Sequence, residues 1–277
     1  MRMKTTKIRI GLYMNRILLL FASILMATGI SAHDFTYTYE GLTLTYTVLD
    51  EDAKTCRTKE GGIDIDNVIT PGNRIYGDLI IPALAKDGET GYSVTGIGNY
   101  GFSKGMFPSL RLPESLMEIG EFAFFNCSCP QSLILPESLV KIRKGAFAAC
   151  YSLTAVTFPV SLIDIEEYSF SYCPALISVK LPESTARIGK SAFTGCYNLS
   201  SVTLPSSLTG IGEYAFNIVV NLSSVYYETD IPIDSSPDVF SESTYEHATL
   251  FVPLKSVERC RQIHPWCNFK KIRSHKF

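Results

Sequence analysis

Phenylalanine stands at positions 102, 124, 147, 170, 193 and 216, and isoleucine at 97, 119, 142, 165, 188 and 211. Both recur every 23 residues after a first interval of 22. With 16 Phe among 277 residues, five further matches at a fixed offset have a chance probability on the order of one in a million. The residue before each Phe is small: Gly101, Ala123, Ala146, Ser169, Ala192 and Ala215. Proline follows at 113, 136, 159, 182 and 205. A unit this short cannot bury its own apolar side, whereas stacked copies bury a continuous core in which each unit touches only its neighbours. The periodicity therefore predicts a repeat solenoid with short parallel strands, mostly β and irregular, capped at both ends.

Within a unit, Leu153, Val156 and Phe158 match Leu176, Val179 and Leu181 of the next. The alternation around residues 156–158 predicts a short strand, and Pro159 ends it. Ile165 opens a second inward-facing stretch. The Ala146-Phe147 pair and its equivalents predict a tight turn, written as one helical or 3-10 turn. Parallel rungs spaced by ~4.8 Å would make six of them span roughly 25–30 Å.

Residues 188–208 read IGKSAFTGCYNLSSVTLPSSL. This pattern resembles the BspA-like leucine-rich repeat family of exported and surface proteins in Bacteroides-type bacteria. GYSVTGIGNYGF at 91–102 resembles the entry to the first repeat. ATLFVP at 248–253, with Trp266 and Phe269 behind it, resembles the C-terminal cap. The resemblance implies a leucine-rich-repeat scaffold, export, and a role in binding or adhesion. The domain reading is a signal peptide at 1–32, an N-terminal β cap at 33–93, six repeats at 94–231 and a C-terminal cap at 232–277. In the first cap, residues 35–39 and 42–49 alternate as strands do, and Gly61-Gly62 and Pro71-Gly72 mark turns. In the last, residues 257–263 predict one or two helical turns stopped by Pro265.

Arg2, Lys4, Lys7, Arg9 and Arg16 precede a mostly apolar run from 17 to 30, no acid comes before Asp34, and Ser31-Ala32 offers a cleavage site. That is the layout of a secretory signal, and the run is short of the ~20 residues of a membrane span. Met14 is an alternative start. No Cys follows the run to carry a lipid. Removing the five leader cations leaves 20 basic against 27 acidic residues, a net charge near −7. There is no basic stripe for nucleic acid. The expected location is exported: cell surface, periplasm or extracellular.

Motifs with chemical content are weighed against their place in the repeat. Gly96 to Gly101 matches GxGxxG, but Ile97 and Phe102 are core positions, so no nucleotide is expected. Cys127, Cys150, Cys173 and Cys196 share a column that also holds Gly105 and Val219, which predicts buried reduced thiols. Cys129 is expected to face the other way. Cys260, His264 and Cys267, with His275 beyond, read as a packed cap with Cys260 beside Trp266; a Cys260–Cys267 disulfide or a metal site is the alternative. The four His, at 33, 247, 264 and 275, lie outside the repeats and no GxSxG elbow is present, so no catalytic set is expected. Asp64-Ile65-Asp66-Asn67 lacks the Gly and Glu of a calcium loop. No metal and no cofactor are predicted.

Charges flank the Ile column with a sign that alternates rung by rung: Glu118 and Glu121, then Lys141, Arg143 and Lys144, then Asp164, Glu166 and Glu167, then Arg187 and Lys190, then Glu213. Opposite charges on adjacent strands favour pairing and like charges oppose it, so this column is read as setting register. The outward strand column is Arg111, Ile134, Thr157, Lys180, Thr203 and Tyr226. It is preceded two residues earlier by Ser109, Ser132, Ala155, Ser178, Ser201 and Ser224. This small, flat face, with Arg111, Lys180 and Tyr226 as anchors, is the expected binding site for a protein ligand such as a host extracellular protein. Glycan binding through Tyr226 and Tyr227 is the alternative, and a hydrolase the remaining one.

Overall fold

The computed structural model describes residues 33–59 and 78–277. The predicted signal peptide, both turn pairs of the first cap and the Asp64–Asn67 segment lie outside them.

Strands follow in order as β1 (Asp34–Tyr39), β2 (Leu42–Asp50), β3 (Thr55–Thr58), β4 (Leu79–Ile80), β5 (Leu84–Asp87) and β6 (Thr90–Ile97). The repeats supply β7 (Leu110–Arg111), β8 (Glu118–Ile119), β9 (Ser132–Ile134), β10 (Lys141–Ile142), β11 (Ala155–Thr157), β12 (Asp164–Ile165), β13 (Ser178–Lys180), β14 (Arg187–Ile188), β15 (Ser201–Leu204), β16 (Gly210–Ile211) and β17 (Ser224–Tyr227). After them come helix α1 (Glu242–His247), β18 (Thr249–Val252), the one-turn helix α2 (Val257–Cys260) and β19 (Lys271–Ser274).

The chain is a β-solenoid. One ladder runs β6-β8-β10-β12-β14-β16, all parallel, with each Ile opposite the next: Ile97 on Ile119, Ile142 on Ile165, Ile188 on Ile211. The other side carries the longer strands in parallel groups, β4 with β7, β9 with β11, and β13-β15-β17-β18-β19. The stacking continues past the sixth repeat. Tyr226 of β17 pairs with Phe251 of β18, which pairs with Arg273 of β19. Phe240 stacks on Phe216 at 5.3 Å and extends the Phe column by one ring. At the other end β3 pairs with β6, and β2 and β1 add antiparallel through the two-residue turn Glu40-Gly41.

The core is the Phe column. Rings 124, 147, 170, 193 and 216 are fully buried and lie nearly parallel at centroid spacings of 5.2–5.4 Å. The Phe segment is not a helical turn. Each rung has left-handed backbone two residues before and two residues after its Phe, as at Tyr168 (φ 59°) and Tyr172 (φ 54°) around Phe170. These residues close linked four-residue turns, such as Ser103 N–H to Tyr100 and Gly105 N–H to Phe102. The turn then directs N–H groups onto the next rung, Phe147 to Ser169 O and Phe170 to Ala192 O, while the Ile strand donates to the previous rung, Glu166 to Ile142 O. Small residues before each Phe fit because that position is fully buried from Ala123 through Ala215. At the corner after each proline, Ser115, Ser138, Ser161, Ser184 and Ser207 donate their hydroxyls at 2.6–2.7 Å to a carbonyl of the preceding turn. This satisfies the backbone where the strands leave off.

The thiol column is buried and unbonded. Cys150 Sγ donates to Phe124 O, Cys173 to Phe147 O and Cys196 to Phe170 O, at 3.2–3.3 Å. Burial pushes the Cys150 and Cys196 thiols well above their ordinary range. Cys129 does not face outward: it is buried, with its sulfur 3.5 Å from that of Cys150.

Candidate functional site

On the Ile-ladder side, charged groups pair across rungs. Arg143 Nε lies 2.8 Å from Glu118 and Lys141 Nζ 2.7 Å from Glu166. Arg187 reaches Asp164 at 2.7 Å and Lys190 reaches Glu213 at 3.1 Å. The carboxylate hydrogen bond holds Arg187 above its ordinary range, and that of Glu213 does the same for Lys190. Lys144 and Lys190 also lie over the rings of Tyr168 and Tyr214. A shallow groove of about 570 Å³ runs along this side, lined by Lys141, Lys144, Asp164, Glu166, Arg187 and Glu121 and by Gly189, Gly210 and Gly212. Its cations Lys141, Lys144 and Arg187 already pair with Glu166, Glu167 and Asp164.

The other side differs in kind. From the Phe turn into the outward strand, residues 145–163, 168–179, 191–212 and 214–227 contain no Asp, Glu, Lys, Arg or His, and Lys180 closes the strand of rung four. Stacked in register, they form an uncharged band over rungs three to six. Tyr151 (59% exposed), Tyr172 (47%) and Tyr197 (40%) project from it, with Ile177, Ile218 and Val220 among Ser, Thr and Asn. Tyr172 has a defined support: a side chain on Gly195, which has φ +71°, would stand 2.8 Å from its ring.

The predicted column divides. Arg111, Ile134, Thr157 and Lys180, on β7, β9, β11 and β13, are exposed, with Ile134 at 74%. Thr203 on β15 and Tyr226 on β17 are half-buried. Tyr226 stacks on Phe251 at 4.8 Å and meets the edges of His275 and Phe277. Tyr227 points inward, fully buried, 4.5 Å from Trp266, so it takes no part in a surface. The reason is the strand alternation itself: when Tyr226 faces out, Tyr227 faces in. Tyr151, Tyr172 and Tyr197 were missed because they lie in the connecting turn, outside the strand pattern.

In the C-terminal region Cys260 is buried, its thiol pushed up to about 11 by burial, and Cys267 Sγ lies 3.3 Å from His264 Nδ1. Among the described residues no three His, Cys, Asp or Glu side chains converge as a metal-binding group. At Gly96–Gly101 the strand β6 runs into a turn rather than a helix, and Gly98 N–H bonds Thr58 Oγ1. No described helix is long and apolar enough to cross a membrane.

Parallel stacked rungs with an inward Leu and Ile per turn define a leucine-rich-repeat solenoid. Residues 95–223 match the BspA type leucine rich repeat region in six copies. Among solved structures it resembles a leucine-rich repeat protein from T. pallidum, 24% identical over 78% of this chain and 86% of that one, with a TM-score of 0.53. A leucine-rich repeat protein from Bacteroides ovatus is 19% identical over 90% of this chain and 76% of that one, with a TM-score of 0.44. No curated protein matches the chain. Repeats of this type generally mediate protein interactions through their extended surface.

Proposed function

We propose that the chain is an exported, cell-surface, non-enzymatic protein that binds a protein ligand, for instance a host extracellular protein, through the uncharged band and the strand column beside it. The charge-free stretches of rungs three to six carry this reading. Interface centres are depleted of charge and enriched in Tyr, and Tyr set among Ser and Asn is the composition of adaptable binding surfaces. Such a face also loses little on desolvation, because no ion must be stripped of water. Arg111, Ile134, Thr157, Lys180 and Thr203 form its strand border. Tyr226 contributes an edge of its aromatic cluster, since its ring is already in use. Export is supported by the basic start, the short apolar run and the small Ser31-Ala32 pair, so an exported chain should begin near His33 on N-terminal sequencing.

The test is surface binding to a panel of purified extracellular host glycoproteins, native and deglycosylated. Replacing Tyr151, Tyr172 and Tyr197 together by Ala should weaken capture tenfold or more, by about 2 kcal/mol, with little change in Tm. Replacing Lys144 and Lys190 should leave capture intact. Loss only in the lysine variant would place binding on the charged side. Loss on deglycosylation would make the ligand a glycan.

A further inference from the structure

The six repeats do not share one loop. After the Phe turn, rungs three to six bring the chain inward on Leu153, Leu176, Leu199 and Leu222, all buried. The first two rungs have Pro108 and Pro130 in that column. Proline holds the residue before it extended, and here that preceding residue supplies the inward side chain: Phe107 in rung one and Cys129 in rung two, both buried. In later rungs the same column is Ser152, Ala175, Asn198 and Asn221, none of them buried. Rung one makes room with Gly105, where a side chain would stand 2.1 Å from the Phe107 ring. Rung two fills the same space with two smaller side chains, Cys127 and Cys129. The joint between the two loop types thus brings Cys129 against the thiol column of rung three, with Sγ–Sγ 3.5 Å to Cys150.

We propose that Cys129 and Cys150 form a disulfide that staples rung two to rung three. The sulfurs must approach by about 1.5 Å to reach bonding distance, which small side-chain rotations supply. Cys150 gives up its hydrogen bond to Phe124 O, and that carbonyl keeps the Cys127 N–H at 3.3 Å. The oxidant is a small-molecule disulfide of the glutathione type. The Cys129 thiolate attacks it, forming a mixed disulfide and releasing one thiolate. The Cys150 thiolate then attacks Cys129 Sγ and releases the second. Two protein thiols are oxidised and one disulfide is reduced to two thiols. Burial holds the Cys150 thiol well above its ordinary range, so Cys129 is the first to attack. The bond closes a short loop of the unfolded chain, which is the source of its stabilisation.

The test is thiol mapping of the chain, expressed with its leader, purified, and refolded from urea in a mixture of oxidised and reduced glutathione. Free thiols are alkylated under denaturing conditions, the protein is reduced, and the released thiols receive a heavier label for peptide mass spectrometry. The heavier label is expected on Cys129 and Cys150 alone, with the other six cysteines carrying the first label, a linked Cys129–Cys150 peptide in an unreduced digest, and a Tm about 5 °C or more above the reduced form. Cys129→Ser should fold with an unchanged circular dichroism spectrum and lose both the link and the redox-dependent Tm. Recovery of Cys129 and Cys150 as free thiols would overturn the proposal. So would any other pairing, or a link that leaves Tm unchanged.

Discussion

The two long sides of this solenoid answer one problem in opposite ways. Parallel rungs in register repeat every side-chain column at short range, so a single charged position copied down the stack would repel itself. The Ile-ladder side keeps its charges and alternates their sign, so that Lys141 meets Glu166 and Arg187 meets Asp164. The opposite side keeps few charges, Arg111, Lys180 and Glu228 among them, and fills most of its columns with Tyr, Ser, Thr and Asn. The consequence is a difference in availability: paired ions are already satisfied by their neighbours, while the uncharged side has exposed rings with nothing over them.

The comparison can be strained from the core outward. Phe170→Ala removes a ring shared by both sides and should cost about 3–5 kcal/mol by urea melts. Hydrogen exchange should then rise on both sides of rungs three to five; a rise on one side alone would mean that they are independently held. Ile218→Gly should add about 1 kcal/mol to stability, because a β-branched residue is held at φ 55° while 42% exposed. The same change at Tyr214, also left-handed but lying under Lys190, should gain less. Glu166→Gln leaves Lys141 unpaired and should cost about 0.5 kcal/mol, a loss that disappears in high salt. The smallest effect tests an exception on the uncharged side. Glu228 is held above its ordinary range by burial and by Glu183 nearby, with Lys180 and His275 opposing. A carboxyl whose folded value is raised favours folding while protonated and loses that contribution as pH rises through the folded value. Glu228→Gln should therefore raise Tm slightly at neutral pH and leave it unchanged in acid.

Much of this architecture is legible in the sequence because its cause is periodic. The Phe and Ile columns, the thiol column and the alternating charges each repeat at a fixed offset, and each occupies the environment that its residue type requires. The parts that were not legible break the period or act across distance. Phe240 joins the Phe stack after an interval of 24, so a fixed offset passes over it. Cys129 turns inward because Pro130 displaces the usual Leu, a signal present in the sequence but local to two rungs. The cover on Tyr226 comes from Phe251, His275 and Phe277, which no repeat alignment brings near it. The serine after each corner proline looks like solvated loop until its hydroxyl is seen to serve the preceding turn.

The opposed hydrogen-bond directions of the Phe turn and the Ile strand bear on heredity. Each rung presents the same donors and acceptors above and below, so any one of rungs three to six can be copied or lost as a whole without leaving a mismatched seam. The seam between rungs two and three is different, because it joins a loop turned by Pro130 to one turned by Leu153. Changes in gene length that insert or delete a single repeat should therefore accumulate downstream of it.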